Sequence, residues 1–404
     1  MGGILDGMRV IESSAFVAVP LAGMTLAQMG ADVIRVDRPA GGLDARRWPV
    51  TANGESLFWA GMNKGKRSLA VDLARPEGQE IVAQLICAPG PDAGLFLTNL
   101  RGKGLLDYPA LSARRADLAM VSLTGTRRGE PAVDYTVNPS LGFPMATGPE
   151  GSADPVAHVL PAWDCIAGQV IVNSLLAAER FRLRTGRGQL VELSLKDVAA
   201  AMVGHLGIIG EVVVNGVDRE KAGNALYGAY GQDFLCADGA RVMVVGLTDR
   251  QWRGLVAVLG VEAEIAALEA RLGLDLRREG QRFKARAEIT ALFRPWFAAR
   301  RLPEIAELFD AAGLTWAPFR SFAGAVREDP DLSEDNPMIR VIDQPGIGAY
   351  PVPGSPVSFG ALPRLEPVPA PRLGQHTEEI LAEVLGLGSG QIGALADSGV
   401  VKVG

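Results

Sequence analysis

The sequence predicts an α/β fold with a doubly wound parallel sheet, followed by a smaller α+β domain. A strand pattern at residues 9–12, a helix with Pro20 in its first turn and a strand at residues 32–36 form a β-α-β start. From about Val217 the pattern changes to a stretch interrupted by glycines, and helix patterns then dominate residues 249–312. Further strand patterns of the first domain lie at residues 68–73, 94–97 and 118–123.

The longest apolar helix pattern occupies residues 164–184 and ends at Gly186, a residue type that often terminates helices. Residues 190–195 alternate apolar and polar side chains and predict a half-buried strand. We therefore expect a large domain at residues 1–216, a small α+β domain at 217–328, and an extended linker with a C-terminal return to the large domain at 329–404.

Composition excludes several classes of protein. The chain has 404 residues, of which 48% are hydrophobic, and its net charge of −6 argues against a nucleic-acid partner. The three cysteines cannot form a fully paired disulfide set, and the three histidines lack the spacing of a zinc site. The sequence has neither a signal-peptide pattern nor an apolar run of membrane-spanning length, so we expect a cytoplasmic protein without a membrane partner or a bound metal.

The β-α-β start does not carry the pattern of a nicotinamide-binding protein. The first turn, residues 13–20, has no glycine, although close approach of the backbone to a pyrophosphate requires one. The glycines at 388, 390 and 393 match the formal spacing but follow a helix pattern instead of a strand. The sequence also lacks the G-x-S-x-G motif of α/β hydrolases.

Cations recur after the predicted strands, at the edge where open α/β sheets bind ligands. Arg38 directly follows the second strand, and a guanidinium binds phosphate with a bidentate fork. Each cation taken alone is best interpreted as a solvated surface residue, but their placement favours an anionic ligand. The others are Arg46, Arg47, Lys64, Lys66, Arg67, Arg101 and Lys103.

Asp164 is a single carboxylate in the uncharged stretch 159–168, just ahead of the long helix pattern. Aspartate is a preferred helix N-cap, so local sequence alone favours a capping role. The alternative is a reactive carboxylate held away from water. His205 and His376 are better explained as structural residues.

A series of motifs in a fixed order spans nearly the whole chain and is similar to the class III CoA-transferase family. That family includes formyl-CoA and carnitine-CoA transferases and the α-methylacyl-CoA racemases. The motifs that carry the resemblance are residues 7–12, 26–39, 63–68, 72–73, 98–99, Asp164, 185–189, 195–197, 354–356 and 371–377.

The resemblance implies an interlocked homodimer, a Rossmann-like large domain built from both chain ends, and a small domain from the middle of the chain. It implies an acyl-CoA substrate, with CoA entering as part of that substrate and no tightly bound cofactor. Asp164 matches the catalytic aspartate of the family. Positions matching the CoA-binding residues are Phe16, Val17, Ala18, Arg38, Val71, Asn99 and Leu100, and Arg101 and Lys103 are added on charge alone.

Two departures narrow the activity. Racemases of the family carry a histidine before an aspartate, whereas Val133 precedes Asp134 here, so racemisation lacks one acid/base group. Formyl-CoA-type enzymes carry a glutamine where Val17 stands and a run of consecutive glycines in the small domain, and both are absent from this sequence.

Further motifs resemble one branch of the family, whose members move CoA between the two carboxyl groups of one mesaconate. We expect Asp164 to form covalent intermediates, an apolar pocket around Phe16 and Trp163 to exclude water, and backbone N–H groups at the start of the 165–184 helix to stabilise oxyanions. The alternatives are an intermolecular transferase between dicarboxylic acids, an acyl-CoA racemase and a non-catalytic CoA-binding protein. The motifs of this branch are residues 13–18, 41–44, 47–50, 57–61 and 244–249.

Overall fold

The computed structural model of the chain describes residues 2–100 and 104–404. Contacts among these residues divide the chain into a large unit with the bounds Met1–Leu141, His158–Glu211 and Asp329–Gly404, and a small unit with the bounds Gly142–Ala157 and Val212–Glu328. The sequence prediction places residues 142–157 in the large domain, whereas this division groups them with the small unit. They belong to the small unit because the Gly223 N–H donates to the Gly148 carbonyl at 3.1 Å and Arg286 forms an ion pair with Glu150 at 2.8 Å.

The elements are numbered in chain order. The strands are β1 (Arg9–Ser13), β2 (Asp32–Asp37), β3 (Arg67–Val71), β4 (Leu95–Thr98), β5 (Ala119–Thr124), β6 (Gln189–Ser194), β7 (Tyr230–Leu235), β8 (Arg241–Gly246), β9 (Thr315–Pro318), β10 (Ile339–Gln344), β11 (Gly348–Pro353) and β12 (Val401–Lys402). The helices are α1 (Ala18–Gln28), α2 (Leu57–Met62), α3 (Pro76–Cys87), α4 (Tyr108–Arg114), α5 (Asp134–Val137), α6 (Phe143–Ala146), α7 (Ala162–Thr185), α8 (Leu195–His205), α9 (Ile208–Asn215), α10 (Asp249–Leu259), α11 (Glu262–Leu272), α12 (Glu279–Lys284), α13 (Arg286–Ala298), α14 (Leu302–Ala311), α15 (Phe322–Glu328), α16 (Thr377–Leu385) and α17 (Ser389–Asp397).

The large unit is built on one sheet of order β12-β3-β2-β1-β4-β5-β6. Every neighbouring pair from β3 to β6 is parallel, and only the two-residue strand β12 joins antiparallel to β3. The central strands are buried on both faces, so β4 is apolar along most of its length, whereas β1 and β2 bury the charged residues Glu12, Arg35 and Asp37 among apolar ones. The predicted α/β fold with a largely parallel sheet is confirmed.

Close packing of α1 on α7 brings the starts of these two helices together. A Cβ atom at Gly168 would lie 2.9 Å from the carbonyl oxygen of Ala18, so glycine is required for this approach. Gly168 is four residues after Asp164 and therefore on the same face of α7. Asp164 consequently lies beside the first turn of α1. At its other end α7 stops at Gly186, which adopts φ 69° as the sequence predicted.

The segment after residue 329, which the sequence predicts as an extended linker and a return to the large domain, contains regular elements. Its strands β10 and β11 form an antiparallel hairpin, with Gly346 and Gly348 at positive φ in the turn. The sequence pattern did not predict the second strand because it contains Pro351 and Pro353. A two-stranded hairpin has free edges, where the missing N–H of proline is tolerated. The chain then returns to the large unit, where the indole N–H of Trp59 donates to the carbonyl of Pro371 at 2.8 Å.

The small unit combines the antiparallel sheet β7-β8-β9 with helices α10 to α14. Its core is an aromatic cluster in which Phe234 stacks on Phe297 at 4.1 Å and Tyr230 meets Phe293 edge-on at 5.6 Å. Such pairs stabilise the core beyond their buried area.

Within residues 2–100 and 104–404, no helix taken singly has the length and apolar composition of a membrane span. The bent pair α8 and α9 meets those two criteria jointly.

Candidate active site

Asp164 is the third residue of α7, and Pro161 occupies the N-cap position. The capping role belongs to Asp134, the first residue of α5. One carboxylate oxygen of Asp134 accepts hydrogen bonds from the backbone N–H groups of Trp163 at 2.7 Å and Asp164 at 3.1 Å. The helix-cap interpretation of Asp164 is therefore wrong, and its own carboxylate remains available for chemistry.

The second oxygen of Asp134 lies 2.9 Å from Nε2 of His158. Because a carboxylate only accepts hydrogen bonds, Nε2 carries the proton in this pair. The hydroxyl of Tyr135 donates to the carbonyl of Val159 at 3.0 Å. Together these two bonds attach the loop before α7 to α5. The start of α7 is therefore held both by its own hydrogen bonds to Asp134 and through this preceding loop.

The surroundings of Asp164 disfavour its charged form. Burial and, to a smaller extent, the negative charge of Asp134 raise the pKa of this carboxyl to about 6, and the guanidinium of Arg47 opposes both effects. A carboxylate of this pKa is ionised at neutral pH but poorly solvated, and hence more nucleophilic than one in water.

Asp164 lies in a cavity of about 950 Å³ within the large unit. Phe16 and Phe58 contribute aromatic walls, whereas Trp163, which we expected in the wall, is buried behind it and donates to Asn138 at 3.2 Å. The described lining residues are Phe16, Val17, Ala18, Arg47, Trp48, Pro49, Phe58, Asn99, Leu100, Ser122, Leu123, Thr124, Gly125, Gly129, Glu130, Pro131, Ala132, Val133, Asp134, Tyr135, Val159, Pro161, Asp164 and Leu195.

Phe16 lies in a sharp turn just before the start of α1. Its φ of 69° is a conformation that costs free energy for a non-glycine residue. Both carboxylate oxygens of Asp44 accept its N–H at 3.0 Å. Buried Arg35 in turn holds Asp44 through an ion pair of 3.1 Å. Asn99 fixes the preceding residue by donating to the carbonyl of Ala15 at 2.7 Å and accepting its N–H at 3.0 Å.

The free backbone donors of the site belong to α1 and not to α7, which corrects our expectation. The N–H groups of Trp163 and Asp164 are occupied by Asp134, and that of Cys165 donates to Pro161. In contrast, the N–H groups of Val17 and Ala18 have no acceptor among the described residues, and both residues line the cavity. The first turn of α1 therefore offers donors and a positive dipole end to an anion.

Five of the predicted CoA-binding residues share the cavity with Asp164, and two lie outside its described lining. Phe16, Val17, Ala18, Asn99 and Leu100 line it. Arg38 is exposed just after β2, and Val71 is fully buried at the end of β3, paired with Val401. Arg101 and Lys103 lie outside the described residues.

Three cations that suggested an anion site are engaged by the protein itself. Lys66 forms a fully buried ion pair with Glu12 at 2.8 Å, and Lys64 donates to the Gly61 carbonyl at 2.6 Å. Burial lowers the pKa of each of these lysines to about 8. Arg67 pairs with Asp32 at 2.7 Å and also with two glutamates of α16. These cations hold the sheet and its covering helix together.

Asp134 is the functional residue that sequence reasoning missed, although the motif around it was recognised. One of its carboxylate oxygens accepts hydrogen bonds from the N–H groups of Trp163 and Asp164. These residues are about 30 positions away in the sequence, so no local pattern predicts the contact. The described residues contain no group of three His, Cys, Asp or Glu side chains placed to hold a metal ion.

The candidate site thus combines a parallel sheet, a desolvated aspartate at a helix start and an adjoining cavity. Residues 5–377 match the model of CoA-transferase family III, and the chain belongs to that family.

The relatives extend over the full chain. A 2-methylfumaryl-CoA isomerase from Chloroflexus aurantiacus is 59% identical over 402 residues, covering 99% of this chain and 98% of the relative. A succinate–glutarate CoA-transferase from Agrobacterium fabrum is 29% identical, with 94% and 95% covered. The crystal structure of a CAIB/BAIF family protein from Brucella suis superposes with a TM-score of 0.76 at 26% identity, covering 95% of this chain and 100% of that one.

Proposed function

We propose that this protein moves CoA from the C1 to the C4 carboxyl of mesaconate, converting 2-methylfumaryl-CoA into 3-methylfumaryl-CoA. The observation that carries the proposal is the desolvated carboxylate of Asp164 in a cavity large enough for an acyl group. The 59% identity to a 2-methylfumaryl-CoA isomerase supports the choice of substrate.

The first half-reaction transfers CoA to the enzyme. The ionised carboxylate of Asp164 attacks the C1 thioester carbonyl, the C–S bond breaks, and a mixed anhydride and CoA thiolate form. The thiolate then attacks the aspartyl carbonyl of the anhydride, which releases the mesaconate dianion and leaves an aspartyl-CoA thioester. Covalent catalysis divides a difficult exchange into easier steps.

The second half-reaction reverses these steps on the other carboxyl group. The C4 carboxylate of mesaconate attacks the aspartyl-CoA carbonyl and expels CoA thiolate, giving the C4 anhydride. The thiolate attacks the mesaconyl C4 carbonyl, and Asp164 leaves as a carboxylate. No water, proton or electron is consumed.

Two features of the cavity serve this chemistry. Each addition creates an oxyanion, which the unpartnered N–H groups of Val17 and Ala18 would stabilise at the start of α1. The aromatic side chains of Phe16 and Phe58 limit access of water, which would hydrolyse the anhydride. In this proposal CoA is held by Phe16, Val17, Ala18, Arg38, Val71, Asn99, Leu100, Arg101 and Lys103.

The proposal includes an interlocked homodimer whose large Rossmann-like domain is built from both chain ends. Helix α9 supports the dimer because none of its residues is buried, although it contains Ile209, Val213 and Val214. An isolated helix of eight residues is unstable in water, and exposed apolar patches mark interaction surfaces. A second copy of the chain is the covering partner that we propose.

Incubation of the purified protein with 2-methylfumaryl-CoA tests the function directly. We expect 3-methylfumaryl-CoA to form without added acid, as resolved by chromatography and carbon NMR. Isotopically labelled mesaconate in the same mixture should stay out of the product. Failure to form the C4 thioester would refute the proposal.

The second candidate is an intermolecular transferase between dicarboxylic acids, which the 29% identity to a succinate–glutarate CoA-transferase favours. Rapid entry of label into the product, or faster turnover with added succinate or glutarate, would support this candidate. A racemase is disfavoured because Val133 stands in place of its histidine and the described lining of the cavity includes no histidine.

A further inference from the structure

The cavity is too acidic to hold a carboxylate-bearing acyl group unless one particular residue supplies positive charge. Its described lining carries three carboxylates, Glu130, Asp134 and Asp164, and one cation, Arg47. The proposed substrate brings a free carboxylate, and the free diacid formed between the half-reactions brings two. Like charges repel strongly where water is scarce. A bound dicarboxylate therefore needs a positive partner close to Asp164.

We propose that Arg47 binds the free carboxylate of the dicarboxylic acyl group and retains the diacid between the two half-reactions. This inference rests on the proposed function, because it assigns a specificity-determining residue to that reaction.

The side chain of Arg47 is placed for such a role. Its guanidinium lies over the ring of Phe16 at 5.2 Å and over the ring of Phe58 at 5.1 Å. Stacking on aromatic faces leaves the N–H groups in the guanidinium plane free for a bidentate bond to a carboxylate. Among the described residues, no carboxylate lies within ion-pair distance of this guanidinium and none of its N–H groups has a hydrogen-bond acceptor.

Arg47 is also close enough to Asp164 to influence it without being paired with it. Its positive charge favours the ionised form of Asp164. A fumaryl group carries its two carboxyl carbons on either side of one double bond. When one of them is at Asp164, the other lies a short way off, within the field of the same cation.

A single cation can serve both halves of the reaction. The two carboxylates of mesaconate exchange roles between the half-reactions, so whichever group is not at Asp164 is the one that needs a partner. A planar guanidinium binds either carboxylate in the same bidentate way. Retention of the diacid at Arg47 explains how transfer stays within one molecule.

The first test measures binding without turnover. Calorimetry follows mesaconate binding to the protein saturated with CoA, and CoA binding alone. We expect Arg47→Gln to weaken mesaconate binding about tenfold or more and to leave CoA binding unchanged. Arg46→Gln is the matched control, because Arg46 is the neighbouring exposed arginine and is absent from the described lining. Unchanged mesaconate affinity in Arg47→Gln overturns the proposal. Weaker CoA binding in that variant also overturns it, by assigning Arg47 to the CoA phosphates.

The second test measures retention during turnover in the presence of labelled mesaconate. Wild type and Arg46→Gln should exclude the label, whereas Arg47→Gln should incorporate it. Arg47→Lys should incorporate an intermediate amount, because lysine keeps the positive charge but cannot bind a carboxylate in the bidentate way of a guanidinium. If wild type isomerises and Arg47→Gln excludes label equally well, the inference fails and the proposed function stands. If wild type forms no isomer, the proposed function fails, and the binding test still decides whether Arg47 holds a dicarboxylate.

Discussion

The backbone N–H of Asp164 donates a hydrogen bond to the carboxylate of Asp134 at 3.1 Å, so two acidic residues meet at the start of α7. Asp134 satisfies the helix terminus that Asp164 would otherwise cap, and its charge opposes ionisation of Asp164. One contact therefore holds the proposed nucleophile in place and raises its pKa.

Replacing Asp164 with alanine should abolish isomerisation, because every covalent intermediate forms on its carboxylate. We expect a loss of at least about a thousandfold in turnover, with CoA affinity retained and a melting temperature no lower than that of wild type. Cys165→Ala is the matched control, since this neighbouring thiol is absent from the described lining and burial raises its pKa. Substantial turnover by Asp164→Ala, or inactivity of Cys165→Ala in a folded protein, contradicts the assignment.

The pH dependence of kcat/KM should reveal the raised pKa of Asp164. The nucleophile must be ionised, so activity should fall as pH drops through about 6. Asp134→Asn removes a negative charge that raises this pKa, so the acidic limb of the pH profile, where activity falls, should move to lower pH. Arg47→Gln removes a charge that lowers it and should move the limb to higher pH.

These opposite shifts of the acidic limb distinguish titration of Asp164 from titration of the CoA phosphates, because the phosphates titrate in the same way with all variants. The measurement is the initial rate at subsaturating substrate across pH 4.5–8.5, with circular dichroism to verify folding. A limb that moves in the same direction in both variants would rule out Asp164 as the titrating group.

The desolvated charge of Asp164 should also cost stability. Its folded pKa of about 6 exceeds the ordinary value of 3.8, so the folded state binds the proton more tightly. The resulting stabilisation is complete below pH 3.8 and is lost as pH rises through about 6. Asp164→Asn, which carries no charge, should therefore be more stable than wild type at pH 7.5, by roughly 1–3 kcal/mol.

Urea unfolding at pH 7.5 and pH 4 measures this difference, with mass spectrometry to verify that the amide persists. The advantage of the variant should shrink towards pH 4. Asp197→Asn is a suitable comparison, because Asp197 is an exposed carboxylate in the first turn of α8, where negative charge is favourable. Equal stabilisation by both substitutions would contradict a special cost at Asp164.

The sequence predicted those features that depend on local pattern. The strands of the large unit were recognisable from short apolar stretches such as Val10-Ile11 and Val33-Ile34, and Asp164 was recognisable as a lone charge in an uncharged stretch. The cap on α7 was not predictable, because it depends on Asp134 and on a contact between distant segments. Similarly, Lys66 looked like an anion-binding residue, and only the folded chain places Glu12 against it.

The donors of the site illustrate a second limit. The sequence showed two helix starts near the predicted ligand, and each has unsatisfied N–H groups in principle. Only the tertiary structure determines that Asp134 occupies those of α7, while those of Val17 and Ala18 stay free. Phe16 at φ 69° was equally unpredictable, because Asp44 holds it there from another loop.

A charged substitution on α9 tests the proposed homodimer. Val213 is 77% exposed on a helix with no buried residue, so in a dimer it should become covered. Val213→Glu would place a charge in that apolar contact and should convert the dimer to monomers or to a much weaker dimer. Ile4→Glu is the control, because Ile4 is an apolar side chain 48% exposed outside α9. Light scattering coupled to size-exclusion chromatography at micromolar concentration gives the mass of each. A wild-type monomer, or a dimer unaffected by Val213→Glu, would show that α9 is not the interface.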